Sequence, residues 1–102
     1  MIEIRINDSS RTFTNNIDEK WVHQQIRRRR RDGINPCVRV IINEGSIYLS
    51  LVTSNCPGRR GSSAKFDKQK SDIVSLWSKH IKDEDYTSGQ IIAFLKQLHR
   101  YL

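Results

Sequence analysis

Val38-Arg39-Val40-Ile41-Ile42-Asn43-Glu44-Gly45-Ser46-Ile47-Tyr48-Leu49-Ser50-Leu51-Val52 is the stretch that decides the fold. Apolar residues recur at every second position on both sides of Glu44-Gly45, and period-two alternation marks strands with one buried face. With Glu44-Gly45 as a two-residue hairpin loop, Val38 faces Leu51, Val40 faces Leu49 and Ile42 faces Ile47, so all six share one side of the ribbon. A slip of one residue would set Val38 against Ser50 and mix the faces. Glu44 is a poor residue for the left-handed conformation that such a loop demands. The other side of the hairpin carries Cys37, Arg39, Ile41, Tyr48, Ser50 and Val52, and its partly apolar character predicts that it is half covered.

Upstream, Ile2, Ile4 and Ile6 alternate with Glu3, Arg5 and Asn7, which predicts an amphipathic first strand. Asn7-Asp8-Ser9-Ser10 is turn chemistry, and residues 11–14 can return as a second strand. Asn16 and Glu19 have capping-box spacing, and Ile17, Trp21, Val22 and Ile26 fall on one helical face. A helix over 17–31 follows, closed by Asp32-Gly33 with glycine at the left-handed position past the last turn. Downstream, residues 54–64 hold glycine, proline and serine without periodicity, and read as a flexible basic loop. Phe66, Ile73, Val74, Trp77 and Ile81 predict a helix over 66–82. Thr87 and Gln90 have capping-box spacing, with Tyr86 and Ile91 at the positions of a hydrophobic staple. They open a third helix whose apolar face is Ile91, Ile92, Phe94, Leu95, Leu98 and Leu102. The order ββαββαα predicts an α+β domain over 1–102: a mostly antiparallel sheet with helices packed on one face.

Leu, Ile, Val and Phe make up 27 of the 102 residues, enough for a core in a chain of this size. No apolar run approaches the ~18 residues of a membrane span. The opening residues lack the basic-then-apolar pattern of a secretory signal, so the expectation is a cytoplasmic protein that is mature from Met1. Cys37 and Cys56 are too few for a disulfide scaffold. In the hairpin as paired above, Cys37 lies opposite Val52. Cys56 is four residues further on, about 13 Å away if the strand continues straight, against the ~7 Å a disulfide tolerates. Two free thiols are expected.

Little in the chain points to catalysis. His23, His80 and His99 are not spaced to share a metal, no Cys-x-x-Cys is present, and no phosphate-cradling glycine motif or nucleophile elbow occurs. No metal or cofactor is implied. A small metal-independent nuclease would need one histidine beside cationic phosphate binders, a part for which His80 and His99 are the candidates. Thr87 onward could also be the second element of a helix-turn-helix. Residues 88–102 carry only Lys96 and Arg100 as fixed cations, however, and packing in the core is the expected role.

The charge map carries the functional reading. The net charge is +7, and residues 71–102 contribute none of it, with four basic and four acidic side chains. The excess lies in two clusters: Arg27, Arg28, Arg29, Arg30 and Arg31 without interruption, then Arg59, Arg60, Lys65, Lys68 and Lys70. Five consecutive helical residues sweep about 400° of arc and cannot share one solvent face. Continuing the apolar stripe brings Arg29 and Arg30 towards the sheet, with stems lying along it and guanidinium groups exposed. The expected function is binding of RNA or DNA through phosphates with little base specificity, by Arg27 to Arg31, Arg39, Arg59, Arg60 and Lys65. The alternative is an adaptor domain that recognises an acidic protein partner.

Overall fold

The computed structural model describes residues 1–14, 16–56, 68–82 and 85–102. Strand β1 (Ile2–Ile6) turns through Asn7-Asp8 into β2 (Ser9–Phe13), and helix α1 (Glu19–Arg31) follows. Strands β3 (Val38–Glu44) and β4 (Ile47–Val52) form the second hairpin. Helices α2 (Lys68–His80) and α3 (Ser88–Leu98) complete the domain, and α3 runs into a 3-10 turn, His99–Tyr101. The sheet has the order β2-β1-β3-β4 and every pairing is antiparallel. The helices lie on one side of it, so the α+β class expected from the element order is what forms. No helix among the described residues is long and apolar enough to cross a membrane.

The alternation of the strands sets the layers. Ile2, Ile4 and Ile6, then Val38, Val40 and Ile42, then Ile47, Leu49 and Leu51 are all buried under the helices. Trp21, Val22 and Ile26 of α1, Ile73, Leu76 and Trp77 of α2, and Ile91, Phe94 and Leu95 of α3 join them in one core. Leu102, placed on that face by its spacing, is exposed instead because the 3-10 turn carries the chain off the helical path. Six of the eleven residues of α3 are buried, so this helix is a core element. Its start is as expected: Gln90 donates its backbone N–H to Thr87 Oγ1 (3.2 Å) and accepts the Thr87 N–H (2.7 Å).

Three local expectations need correction. The cap of α1 is Asp18, whose carboxylate accepts from the Trp21 N–H at 3.1 Å, and the helix begins two residues later than the Asn16–Glu19 spacing predicted. A carboxylate at the positive end of the helix is also the better electrostatic choice. In the hairpin, Val40 faces Leu51, Ile42 faces Leu49 and Glu44 faces Ile47, a slip of two residues from the expected pairing. The faces survive because a slip of two preserves the period-two alternation. The loop is Gly45-Ser46, with Gly45 at φ 56°. This pairing gives the left-handed position to glycine and leaves Glu44 in the strand, so turn chemistry decides the register.

The third correction concerns the cysteines. Cys37 and Cys56 form a disulfide with Cα atoms 4.8 Å apart, and neither described cysteine is free. The two-residue slip is half of the reason. It carries β4 further along β3, so that the Thr53 N–H reaches the Val38 carbonyl at 3.0 Å. The chain then doubles back, the Cys56 N–H donating to the Thr53 carbonyl at 3.2 Å. Thr53 Oγ1 accepts the Val38 N–H, and Asn55 Nδ2 donates to the carbonyls of Asn35 and Pro36. The turn is therefore fastened to the start of β3 by hydrogen bonds as well as by sulfur.

Candidate nucleic-acid interface

Helix α1 ends in a Schellman motif. The Gly33 N–H donates to the Arg30 carbonyl (3.0 Å) and the Ile34 N–H to the Arg29 carbonyl (2.7 Å), with Gly33 at φ 75°. This stop places all five arginines in the final turns of the helix, where cations oppose the partial negative charge of the terminal carbonyls.

The fold divides the run into two groups. Arg29 is turned inward, its side chain only 11% exposed. One guanidinium nitrogen donates to the Gln25 carbonyl and to Gln25 Oε1, and the other to Asp8 Oδ1 (2.8 Å) and Ser9 Oγ (3.1 Å). Arg29 thereby ties α1 to the β1–β2 turn. Arg30 points to the other flank, its guanidinium 5.1 Å from the centre of the Tyr86 ring and donating to the Tyr86 carbonyl. Tyr86 is buried, and its hydroxyl donates to the Pro36 carbonyl. Burial raises the Tyr86 pKa above that of an ordinary phenol, so the hydroxyl stays protonated and available as a donor. The stems do run inward as the stripe predicted, but both guanidinium groups are engaged within the fold.

Arg27, Arg28 and Arg31 remain at the surface. Together with Gln24 and Gln25 they line a shallow depression on the helix. Neither Arg27 nor Arg31 enters a hydrogen bond or ion pair among the described residues. Their two neighbours, Arg29 and Arg30, fasten the helix end from opposite flanks. Arg39 lies in β3 on the sheet face away from the helices, apart from this group. Arg59, Arg60 and Lys65 lie outside the described residues.

The Arg29–Asp8 contact has a pH signature. The hydrogen bond from Arg29, then the Asp8 backbone N–H and the Arg29 charge, hold the Asp8 carboxyl below its usual range. A carboxyl depressed in the folded state stabilises the fold above its unfolded pKa and loses that contribution as pH falls through its folded one. Asp8→Asn should therefore be less stable than wild type at neutral pH. The gap should close as pH falls through the carboxylate range, as read by denaturant midpoints. A gap that does not change with pH would assign the loss to packing and not to the charge.

Among the described residues, none of the three histidines makes a hydrogen bond to these arginines. His23 Nδ1 lies 2.6 Å from Ser88 Oγ and joins α1 to α3. His80 Nε2 is buried without a hydrogen-bond partner among the described residues. His99 lines a cleft of about 290 Å³ with Asn16, Ile17, Glu19, Ile92, Leu95 and Lys96. That cleft sits against the first turn of α1, and at 1.5 Å per residue the arginines begin about 12 Å further along the axis. No cluster of three or more His, Cys, Asp or Glu residues suited to a metal ion occurs among the described residues.

One further cation, Arg5, lies outside both charge runs. In the register of β1 and β3, Arg5 stands directly opposite Arg39. The alternation of the first strand already turns Arg5 outward, but its neighbour depends on which strand lies beside β1, and the sequence contains no signal for that. No protein-family model, curated protein or solved structure matches the chain.

Proposed function

We propose that the protein binds nucleic acid through backbone phosphates, with Arg27, Arg28 and Arg31 as the principal contacts and with little base specificity. The observation that supports this reading is the division of the arginine run: two members are engaged inside the fold and three are held at the surface beside two glutamine amides. Guanidinium forks and amides match phosphate and sugar oxygens, and such contacts carry no sequence information by themselves. Arg59, Arg60 and Lys65 belong to the same reading on sequence alone, since Arg59 follows the anchored Cys56 by three residues. An acidic protein partner would engage the same guanidinium groups, and polyglutamate is the competitor that tests for it.

The cytoplasm is the proposed location, carried over from the sequence expectation. Thiol buffers there reduce accessible disulfides, so this location requires the Cys37–Cys56 bond to be shielded; Cys56 is buried and Cys37 half-buried.

Binding of mixed-sequence RNA and duplex DNA at several salt concentrations tests the reading. Each phosphate contact contributes about −0.7 to −0.9 to the slope of log K against log salt. The double variant Arg28→Gln, Arg31→Gln should lower that slope by about one to two units and weaken all sequences alike. Its stability should stay within about 1 kcal/mol of wild type, because both side chains are exposed. Absence of association with either nucleic acid near about 50 mM salt, where phosphate contacts are strong, would overturn the proposal.

A further inference from the structure

The sheet face opposite the helices is covered by no described element. Its outward residues include Arg5, Arg39, Ile41, Tyr48, Ser50 and Val52. The hairpin face expected to be half covered is thus open, and Ile41 and Val52 are partly buried only by their neighbours. Three observations on this face belong together. Arg5 and Arg39 are directly opposed across β1 and β3. Like charges so placed destabilise a sheet, and the only carboxylate among the described residues of the face, Glu3, pairs with Arg5 at 3.1 Å. Arg39 enters no hydrogen bond or ion pair among the described residues. Finally, Tyr48 projects from β4 with 67% of its surface exposed, more than any other large apolar residue described.

We infer that this face is a binding platform for single-stranded nucleic acid, with Arg5 and Arg39 gripping phosphates and Tyr48 stacking on an unpaired base. The inference rests on the nucleic-acid reading and adds to it a second surface and a substrate class. Tyr48 pairs with Asn43, four residues along β3 from Arg39. At ~3.3 Å per residue the cations and the ring stand about 13 Å apart along the strands. Ile41, paired with Ser50, lies between them, and Val52 lies directly beside Arg39. A chain with phosphates at one end of this track and a base on the ring at the other is an extended single strand. Paired bases are unavailable for stacking on an exposed ring, whereas the bases of a single strand are available. The arginine pair also lies at the end of the sheet held by Arg29, since that side chain binds the turn that leaves β1. A strand leaving the sheet at this end meets the exposed arginines of α1. The charge is complementary to a polyanion, and the exposed ring distinguishes a nucleic acid from an acidic peptide.

The test uses the full chain and fluorescence anisotropy with three labelled probes: oligothymidylate, an abasic strand of the same length, and the corresponding duplex. Tyr48→Ala should weaken oligothymidylate about ten-fold. It should leave the salt slope, the abasic strand and the duplex unchanged, while Tyr48→Phe retains wild-type affinity. Arg39→Gln should lower the salt slope for oligothymidylate by about 0.7. Exposure of Tyr48 keeps its variants folded, which a thermal melt confirms. Oligothymidylate affinity within about two-fold of wild type in Tyr48→Ala, well short of the loss of a stacked base, overturns this inference. So does an equal loss on all three probes, or a matching loss of polyglutamate binding. If the duplex still binds in a manner dependent on Arg28 and Arg31, the broader reading stands without it. If no probe binds at low salt, both fall.

Discussion

Phe94→Ala should remove about 3–5 kcal/mol of stability, among the largest losses expected of a single substitution in this protein. Phe94 is fully buried in α3, and its ring meets Trp77 of α2 edge-on, with centroids 5.0 Å apart and planes at 81°. Such a pair adds about 0.5–1.5 kcal/mol to the burial itself. Alanine would leave a void between helices whose backbones are fixed on one side by the Thr87 capping box and on the other by α1, so collapse into the space is restricted. A domain of this size has about 5–15 kcal/mol in total, and the thermal midpoint should fall by roughly 15 °C or more. Phe94→Leu keeps most of the volume and should lose clearly less. Urea denaturation of the three proteins checks the order. A loss below about 1 kcal/mol for alanine, outside the range for a buried aromatic, would mean that α3 does not pack as described.

Breaking the Cys37–Cys56 bond should have the second-largest effect. The bridged residues are 19 apart in sequence, and the chain-entropy account assigns about 3 kcal/mol to closing a loop of that length. The native hydrogen bonds around Thr53 and Asn55 persist without the bond, so the reduced protein should remain folded, with its urea midpoint lowered. Dithiothreitol should shift wild type and leave the Cys37→Ala, Cys56→Ala double variant unmoved. Thiol titration of the unfolded, unreduced protein should find no reactive sulfur. One or more reactive thiols there, or identical midpoints with and without reductant, would show that the bond is absent. The bond also anchors the residue from which the basic segment departs, so reduction should weaken nucleic-acid binding if Arg59 and Arg60 contribute to it.

The candidate site was legible in the sequence as a composition and illegible as an arrangement. Five arginines in a row on a helix announce a cationic surface, and helical arc alone requires that some of them turn inward. Which ones remain free depends on Asp8 and Tyr86, 21 residues before Arg29 and 56 after Arg30. Arg5 carries no signal in any run of charge, and it becomes part of a site only when β1 and β3 lie side by side. Tyr48, beside Arg39 on the less apolar face of the hairpin, stands out in the sequence as the aromatic available for stacking on a single strand. Only the fold shows that the face around it is open.

What the amino-acid order determined by itself was local and periodic. The isoleucine alternation of β1 defines a buried face, the 3.6-residue spacing of Trp21, Val22 and Ile26 defines another, and Thr87 with Gln90 starts α3 where the spacing says. Each of these is settled within a few residues, by backbone geometry that does not depend on distant partners. Only the tertiary structure decided the partner of each strand position, the disulfide and the division of the arginines. Period-two alternation is satisfied equally by pairings two residues apart, so the hairpin needed the left-handed preference of Gly45 to choose between them. That choice, with the turn back at Thr53, brought Cys56 to Cys37. The arginines were then sorted by contacts that exist only after sheet and helices have packed, because a guanidinium takes a partner within hydrogen-bond reach, whatever its distance along the chain.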